Sequence, residues 1–225
     1  MHTYVKALTQ IASKYAPSRM LSFELVHIFK VFQLLAKNEH ISRALLCEEL
    51  SLGEGSVRTL VKHMKMQGLI SSTNHGTTLT EKGKKISTAL IRAITAETDV
   101  PNCSFAIGKF NYAILLKQAS FAIKSGIEQR DAAIKVGALG ATTLIYNNHK
   151  FTMPTSIPNK EQINNDEDVL YESNIVELLT KKLQPENKDV IIIGSDNLEL
   201  TNAEFGAKNA ALFTIMNHDK HTHEQ

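Results

Sequence analysis

Between Gly53 and Ile70 the chain reads GEGSVRTLVKHMKMQGLI, and no other stretch restricts the fold as strongly. Wound as a helix, it puts Val57, Leu60, Val61 and Met64 on one face, which can pack on two preceding helices. The opposite face presents Gly55, Thr59 and Lys62, flanked by Ser56, Arg58 and His63, with no acidic residue after Glu54. A helix fits the ~12 Å major groove of DNA, and small, hydroxylic and basic side chains are those that reach base edges and phosphates. Gly55 and Ser56 let the helix start approach a phosphate, where the helix dipole favours an anion. After the Gly68-Leu69-Ile70 exit, two β-prone segments, Leu69 to Thr73 and Thr77 to Leu79, flank the turn Asn74-His75-Gly76. Such a hairpin is a wing, and its tip at Asn74 and His75 can enter the neighbouring groove. The bland alternatives are an amphipathic helix of an ordinary bundle, or a winged helix used for protein contacts.

The flanking pattern supports the winged reading. Tyr4, Leu8, Ile11 and Tyr15 have helical spacing ended by Pro17. A second helix after Ser22 carries the wide apolar stripe Leu25, Ile28, Phe29, Phe32, Leu35 and Ala36. A link over Asn38 to Ser42 leads to a helix over Ala44 to Leu50. Beyond the wing, Thr80 reads as the N-cap of a helix carrying Ile86, Leu90, Ile91 and Ile94. From Leu21 to Ile86, above all in SVRTLVKHMKMQGLI and LTEKG (Leu79 to Gly83), the chain resembles the N-terminal DNA-binding domain of the central glycolytic gene regulator family. The resemblance implies that Arg58, Thr59 and Lys62 face DNA and that Leu79 to Gly83 begins the closing helix. That family's long sugar-phosphate-binding domain is missing, so no sugar-phosphate effector follows. The whole arrangement, with SGIEQRDAAIKVGALGATTLIY in the second half, resembles uncharacterised archaeal regulators with a short C-terminal domain of unknown function.

Charge divides along the same line. Residues 1–98 hold 13 Lys and Arg against 7 Asp and Glu, whereas residues 99–225 hold 12 against 16, so the net +2 conceals a basic half and an acidic half. Only the first half suits a polyanion. Cys47 and Cys103 lie far apart without a CxxC pair, and read as small core residues rather than a disulfide or zinc site. The longest apolar runs, such as Val190 to Ile193, fall far short of the ~20 residues of a membrane span. Lys6, Thr9, Gln10 and Lys14 interrupt any signal-like apolar core at the start. A cytoplasmic protein with no membrane partner is the expectation.

Asp99-Val100-Pro101-Asn102 reads as a linker. It divides the chain into a winged-helix domain over 1–98, a second domain over 103–215 and a flexible tail over 216–225. The predicted class is α+β: an N-terminal winged helix-turn-helix, then a small α/β or α+β domain. Strands are expected at Ser104 to Lys109, Ala141 to Tyr146, Lys150 to Met153 across an Asn147-Asn148 turn, and Val190 to Ile193. Helices are expected around Ile127 to Val136, Ile175 to Leu183 and Ala203 to Phe213. Tyr112 to Lys124 is apolar but fits neither period, and Pro154 to Asp168 reads as a polar loop.

In this half, Gln129, Arg130 and Asp131 at a helix start could bind a small effector, with Gly137, Gly140, Thr142 and Thr143 lining the same site. Gly194, Ser195 and Asp196 follow a buried strand, where ligands of α/β sheets bind. Convergence of the two groups would favour a small anionic metabolite. The competing readings are a capped, solvated helix start with Arg130 paired to Glu128 or Asp131, and a plain turn. His218, His221 and His223 could hold a metal, but a frayed tail is the commoner home of such histidines. No Ser/His/Asp arrangement, phosphate loop or HExxH helix is present, so no enzyme activity, metal or cofactor is expected. The functional expectation is a homodimeric, sequence-specific binder of double-stranded DNA that regulates transcription, responsive to a ligand if the second domain is a sensor. A protein-interaction scaffold and an enzyme with a catalytic C-terminal domain are the rivals.

Overall fold

The computed structural model describes residues 5, 8–9, 21–154 and 172–217. The expected helix from Tyr4 to Tyr15, the loop from Pro154 to Asp168 and the histidine tail lie wholly or mostly outside them. The chain divides into two compact units, Met1–Arg92 and Ala93–Gln225.

The first unit runs α1 (Leu25–Lys37), α2 (Arg43–Leu50), α3 (Glu54–Met66), β1 (Ile70–Thr73), β2 (Gly76–Leu79) and α4 (Glu81–Ala93). This is the element order expected of a winged unit. α1 opens with a reciprocal cap, in which the Glu24 amide donates to His27 Nδ1 at 2.9 Å. It then buries Val26, Ile28, Phe29, Val31, Phe32 and Leu35. Ser42 caps α2, its Oγ accepting from the Leu45 amide at 3.1 Å. β1 and β2 pair in register from Ile70↔Leu79 to Thr73↔Gly76, leaving Asn74 and His75 as a two-residue turn. A bridge between Ile41 and Thr77 ties the link before α2 to this hairpin. Gly76 is required there: its φ is +127°, and a Cβ would stand 2.8 Å from the Ile41 carbonyl oxygen. Thr80 is the N-cap of α4, as its position suggests, accepting from the Gly83 amide at 3.1 Å while donating to the Gly68 carbonyl at 2.6 Å. Ile86 and Leu90 of α4 are buried.

The helix expected to carry Ile94 and the linker at Asp99 to Asn102 both need correction. Helix α4 stops at Ala93, and Ile94–Val100 is a strand, β3. The unit boundary therefore falls at Arg92 and Ala93, not at residue 98. Ile94 continues the helical spacing, but pairing with β4 (Phe110–Leu116) claims the segment from Ile94↔Leu116 to Val100↔Asn111. Propensity yields here to tertiary pairing.

The rest of the second unit is α5 (Ile127–Ile134), β5 (Gly140–Asn147), β6 (Lys150–Thr152), α6 (Ser173–Leu183), β7 (Asp189–Asp196) and α7 (Leu200–Asn217), with a short 3₁₀ turn at Ser120–Ala122. One sheet orders its strands β3-β4-β7-β5-β6, and every neighbouring pair is antiparallel. The unit is thus α+β. Helices cover both faces, which explains why β4 and β7 read as continuous apolar runs. On one face Ile175, Leu179 and Leu183 of α6 join Leu115, Leu144, Ile191 and Ile193 in a single core. On the other, α7 packs on β4, β5 and β7, and α5 packs on β5 and α7. Gly194 allows that approach, since a Cβ there would stand 2.1 Å from the Ala203 carbonyl oxygen. The strand expected at Ser104 to Lys109 is absent: the segment is irregular, and its buried Phe105 serves the core from a loop. Cys47 and Cys103 are half-buried free thiols in separate units.

Candidate functional site

In α3 the residues split as the helical period demands. Val57, Leu60, His63 and Met64 are buried, while Gly55, Arg58, Lys62, Lys65 and Met66 are exposed and Ser56, Thr59 and Val61 lie between. His63, expected on the outer face, is buried. It follows Leu60 by three positions, which returns it to the packed face, where its ring meets Phe23 edge-on at 5.7 Å. Gly53 and Gly55 have open space where a Cβ would stand, so the start of the helix presents bare backbone. The Thr59 hydroxyl donates back to the Gly55 carbonyl at 2.9 Å. Arg58 donates to Glu54 at 2.9 Å, and Arg43 from α2 stands 3.7 Å from the same carboxylate. Lys62 and Lys65, one and two turns on, make no ion pair among the described residues. Asn74 and His75 are exposed at the hairpin tip, with the His75 ring 6.1 Å from that of His40.

The expected effector site does not assemble in full. Gln129 is buried and donates to Thr214 Oγ1 at 2.9 Å, so it binds α5 to α7 rather than facing a ligand. Ser195 is fully buried and bonded to Asn111 at 2.7 Å within the sheet. Gly194 is covered by the close approach of α7. Asp196 organises the entry to α7, its Oδ1 accepting from the amides of Leu198 at 2.7 Å and Glu199 at 3.0 Å. Burial works to raise its pKa, but the Glu199 and Leu198 amides and Asn202 outweigh it and hold the carboxyl below the usual aspartate range. Topology also opposes the expectation, because an antiparallel sheet has no common carboxyl edge at which ligands gather. Gly137, with φ of +94°, ends its helix in the ordinary way. Arg130 lies on the surface against Asp131 Oδ1, at 3.1 and 2.9 Å. It does, however, line a cavity of about 260 Å³ together with Thr142 and Thr143. That part of the expected grouping holds.

Sequence reasoning missed a buried polar cluster. Lys208 of α7 is fully buried, pairs with Glu204 one turn back and with Glu97 of β3 at 3.0 Å, and lies 5.7 Å over the ring of Tyr112. Burial, reinforced by Glu97 and Glu204, pushes the Tyr112 phenol well above its ordinary pKa. A lysine within an apolar helix was the only signal, and Glu97 and Tyr112 lie far away in the sequence. Among the described residues no cluster suited to a metal ion forms, and no helix is long and apolar enough to cross a membrane.

Two family descriptions match, one in each unit. Residues 25–85 match the PH0730-like N-terminal domain, and residues 107–215 match a domain of unknown function, DUF4443. The first covers nearly the whole stretch that resembles the glycolytic gene regulator domain. Among solved structures, the chain is similar to the hypothetical protein PH0730 from Pyrococcus horikoshii OT3. The two are 26% identical with a TM-score of 0.59, over 88% of this chain and 94% of that one. No curated protein is significantly similar to the chain. The likeness is thus to an archaeal group without an assigned function, and it extends across both units.

Proposed function

We propose that the unit Met1–Arg92 is a winged helix-turn-helix that binds double-stranded DNA, and that the protein regulates transcription. The observation that carries this reading is the outer face of α3, where Gly55, Arg58, Thr59, Lys62 and Lys65 stand together with no carboxylate beyond Glu54. Its inner face is consumed by packing, so the helix is rigidly held while its basic face stays open, which is what docking in a major groove requires. Asn74 and His75 extend the contact to a neighbouring groove. The protein acts as a homodimer, because one such unit reads only a few base pairs and two gain affinity by spanning paired half-sites.

Duplex binding by the full chain, measured by fluorescence anisotropy across a salt series, tests this. A DNA-binding protein gives log K falling linearly with log salt, with a slope of about −0.9 per phosphate neutralised. Absence of duplex binding at low salt overturns the reading and leaves the unit as a scaffold for protein contacts. Mapping of bound sites in the native host then separates a regulator from a non-specific binder.

A further inference from the structure

We propose that the cavity beside the start of α5 in the second unit is a binding site for the oxyanion group of a small metabolite. One wall is the beginning of α5. Gly126 is its N-cap, held at φ +76° and lacking any capping side chain, and Ile127 begins the helix. The first amides of a helix have no acceptor within it and point outward at the positive end of the dipole. Arg130, one turn on, lines the same cavity. Its present partner is the Asp131 carboxylate, with both side chains about half exposed. Water weakens such a pair, so an incoming anion displaces it at little cost.

The opposite wall holds the independent observation. Thr143 of β5 is only 4% exposed, lines the cavity, and its Oγ1 has no hydrogen-bond partner among the described residues. A buried hydroxyl without a partner is costly and calls for an explanation. Thr142 beside it is satisfied by the Phe105 carbonyl at 2.7 Å, so the vacancy is particular to Thr143. A Cβ on Gly126 would stand 3.3 to 3.4 Å from Thr143 and Pro154, and the φ of +76° favours glycine there in any case, so the turn before α5 lies directly against Thr143. β6 joins β5 only from Ile145 onward, and Gly140 to Leu144, Thr143 among them, have no strand on that side among the described residues. A hydroxyl, outward amides and a guanidinium around about 260 Å³ suit a carboxylate or phosphoryl group. Met153 and Pro154 line the cavity beside this polar wall and suit a short carbon body.

The site stands or falls independently of DNA binding. The test is calorimetric titration of the full chain with inorganic phosphate and, separately, with butyrate, each against chloride at equal ionic strength. The expected result is saturable binding of one of them at millimolar concentration or below. Preference for phosphate identifies a phosphoryl ligand, and preference for butyrate a carboxylate with an apolar body. Thr143→Val keeps the shape and removes only the hydroxyl, and Arg130→Gln removes a surface charge. Each should weaken binding at least tenfold without lowering the unliganded melting temperature, which Thr143→Val should if anything raise by removing an unsatisfied hydroxyl. Failure of both anions to bind beyond chloride overturns the proposal, as does binding that both folded variants retain at full strength.

Discussion

Glu54 is the one carboxylate on the face of α3 proposed to meet DNA, and it holds Arg58 at 2.9 Å while standing 3.7 Å from Arg43. All three side chains are more than half exposed, so the pairing adds little stability, within about 1 kcal/mol. Its larger effect is to cancel positive charge where a phosphate would bind. Glu54→Gln is therefore expected to tighten duplex binding severalfold at low salt with an unchanged melting temperature. Weaker binding by this variant would place the DNA elsewhere. His27 supplies a pH dependence of definite sign. Burial holds its imidazole down to about 4 from an ordinary 6.5, while its Nδ1 accepts from the Glu24 amide. The folded state keeps His27 neutral as the unfolded chain takes up its proton, so stability is full above about pH 6.5 and declines as pH falls toward 4. His27→Gln retains a group able to complete the cap but cannot titrate. Melting curves between pH 7.5 and 4.5 should be flatter for the variant; equal slopes would remove His27 as the cause.

Helix α3 works as an element because its period separates packing from exposure. Replacing Arg58 and Lys62 together with Ala removes two of its basic groups without touching Val57, Leu60 or Met64. The salt slope should fall by about 0.9 for each phosphate the variant no longer neutralises, with the circular dichroism spectrum unchanged. An unaltered slope would exclude this face. Helix α7 is set by the opposite device, a charged group taken inside. Lys208 fastens it to β3 through Glu97 and is itself fully buried, so Lys208→Met removes its positive charge from beside Glu97 and Glu204. Breaking a buried pair from one side costs about 3–5 kcal/mol, and urea unfolding should register a loss of that order. A loss under about 1 kcal/mol would mean that solvent reaches the carboxylates freely.

At the scale of the molecule, the charge asymmetry follows the proposed division of labour, a basic unit for a polyanion and an acidic unit that would not compete for it. Assembly belongs to this scale as well. Homodimers placing two α3 helices about 34–36 Å apart would read half-sites one helical turn from each other. Light scattering at tens of micromolar should return twice the chain mass of 25.0 kDa, and a monomer would sink the dimer. The apolar positions of α4 from Ile86 onward do not supply a surface for one. Ile86 and Leu90 are buried, and Ile94 opens β3. Local, periodic features could be read from the residues alone. The two faces of α3, the Thr80 cap, the Asn74-His75 turn and the buried strand at Val190 to Ile193 depend on residues within a few positions of each other. Non-local features waited on the folded chain. Whether Ile94 to Val100 ends a helix or forms a strand depended on a partner at Phe110 to Leu116. Ser195 and Gln129, polar on paper, proved to be internal fastenings because their partners Asn111 and Thr214 lie 84 and 85 residues away. Thr143 is the converse case: the sequence places it beside the helix start of α5, but only the fold buries its hydroxyl there without a partner among the described residues. Burial and long-range pairing are sums over the whole chain, and no window of sequence contains them.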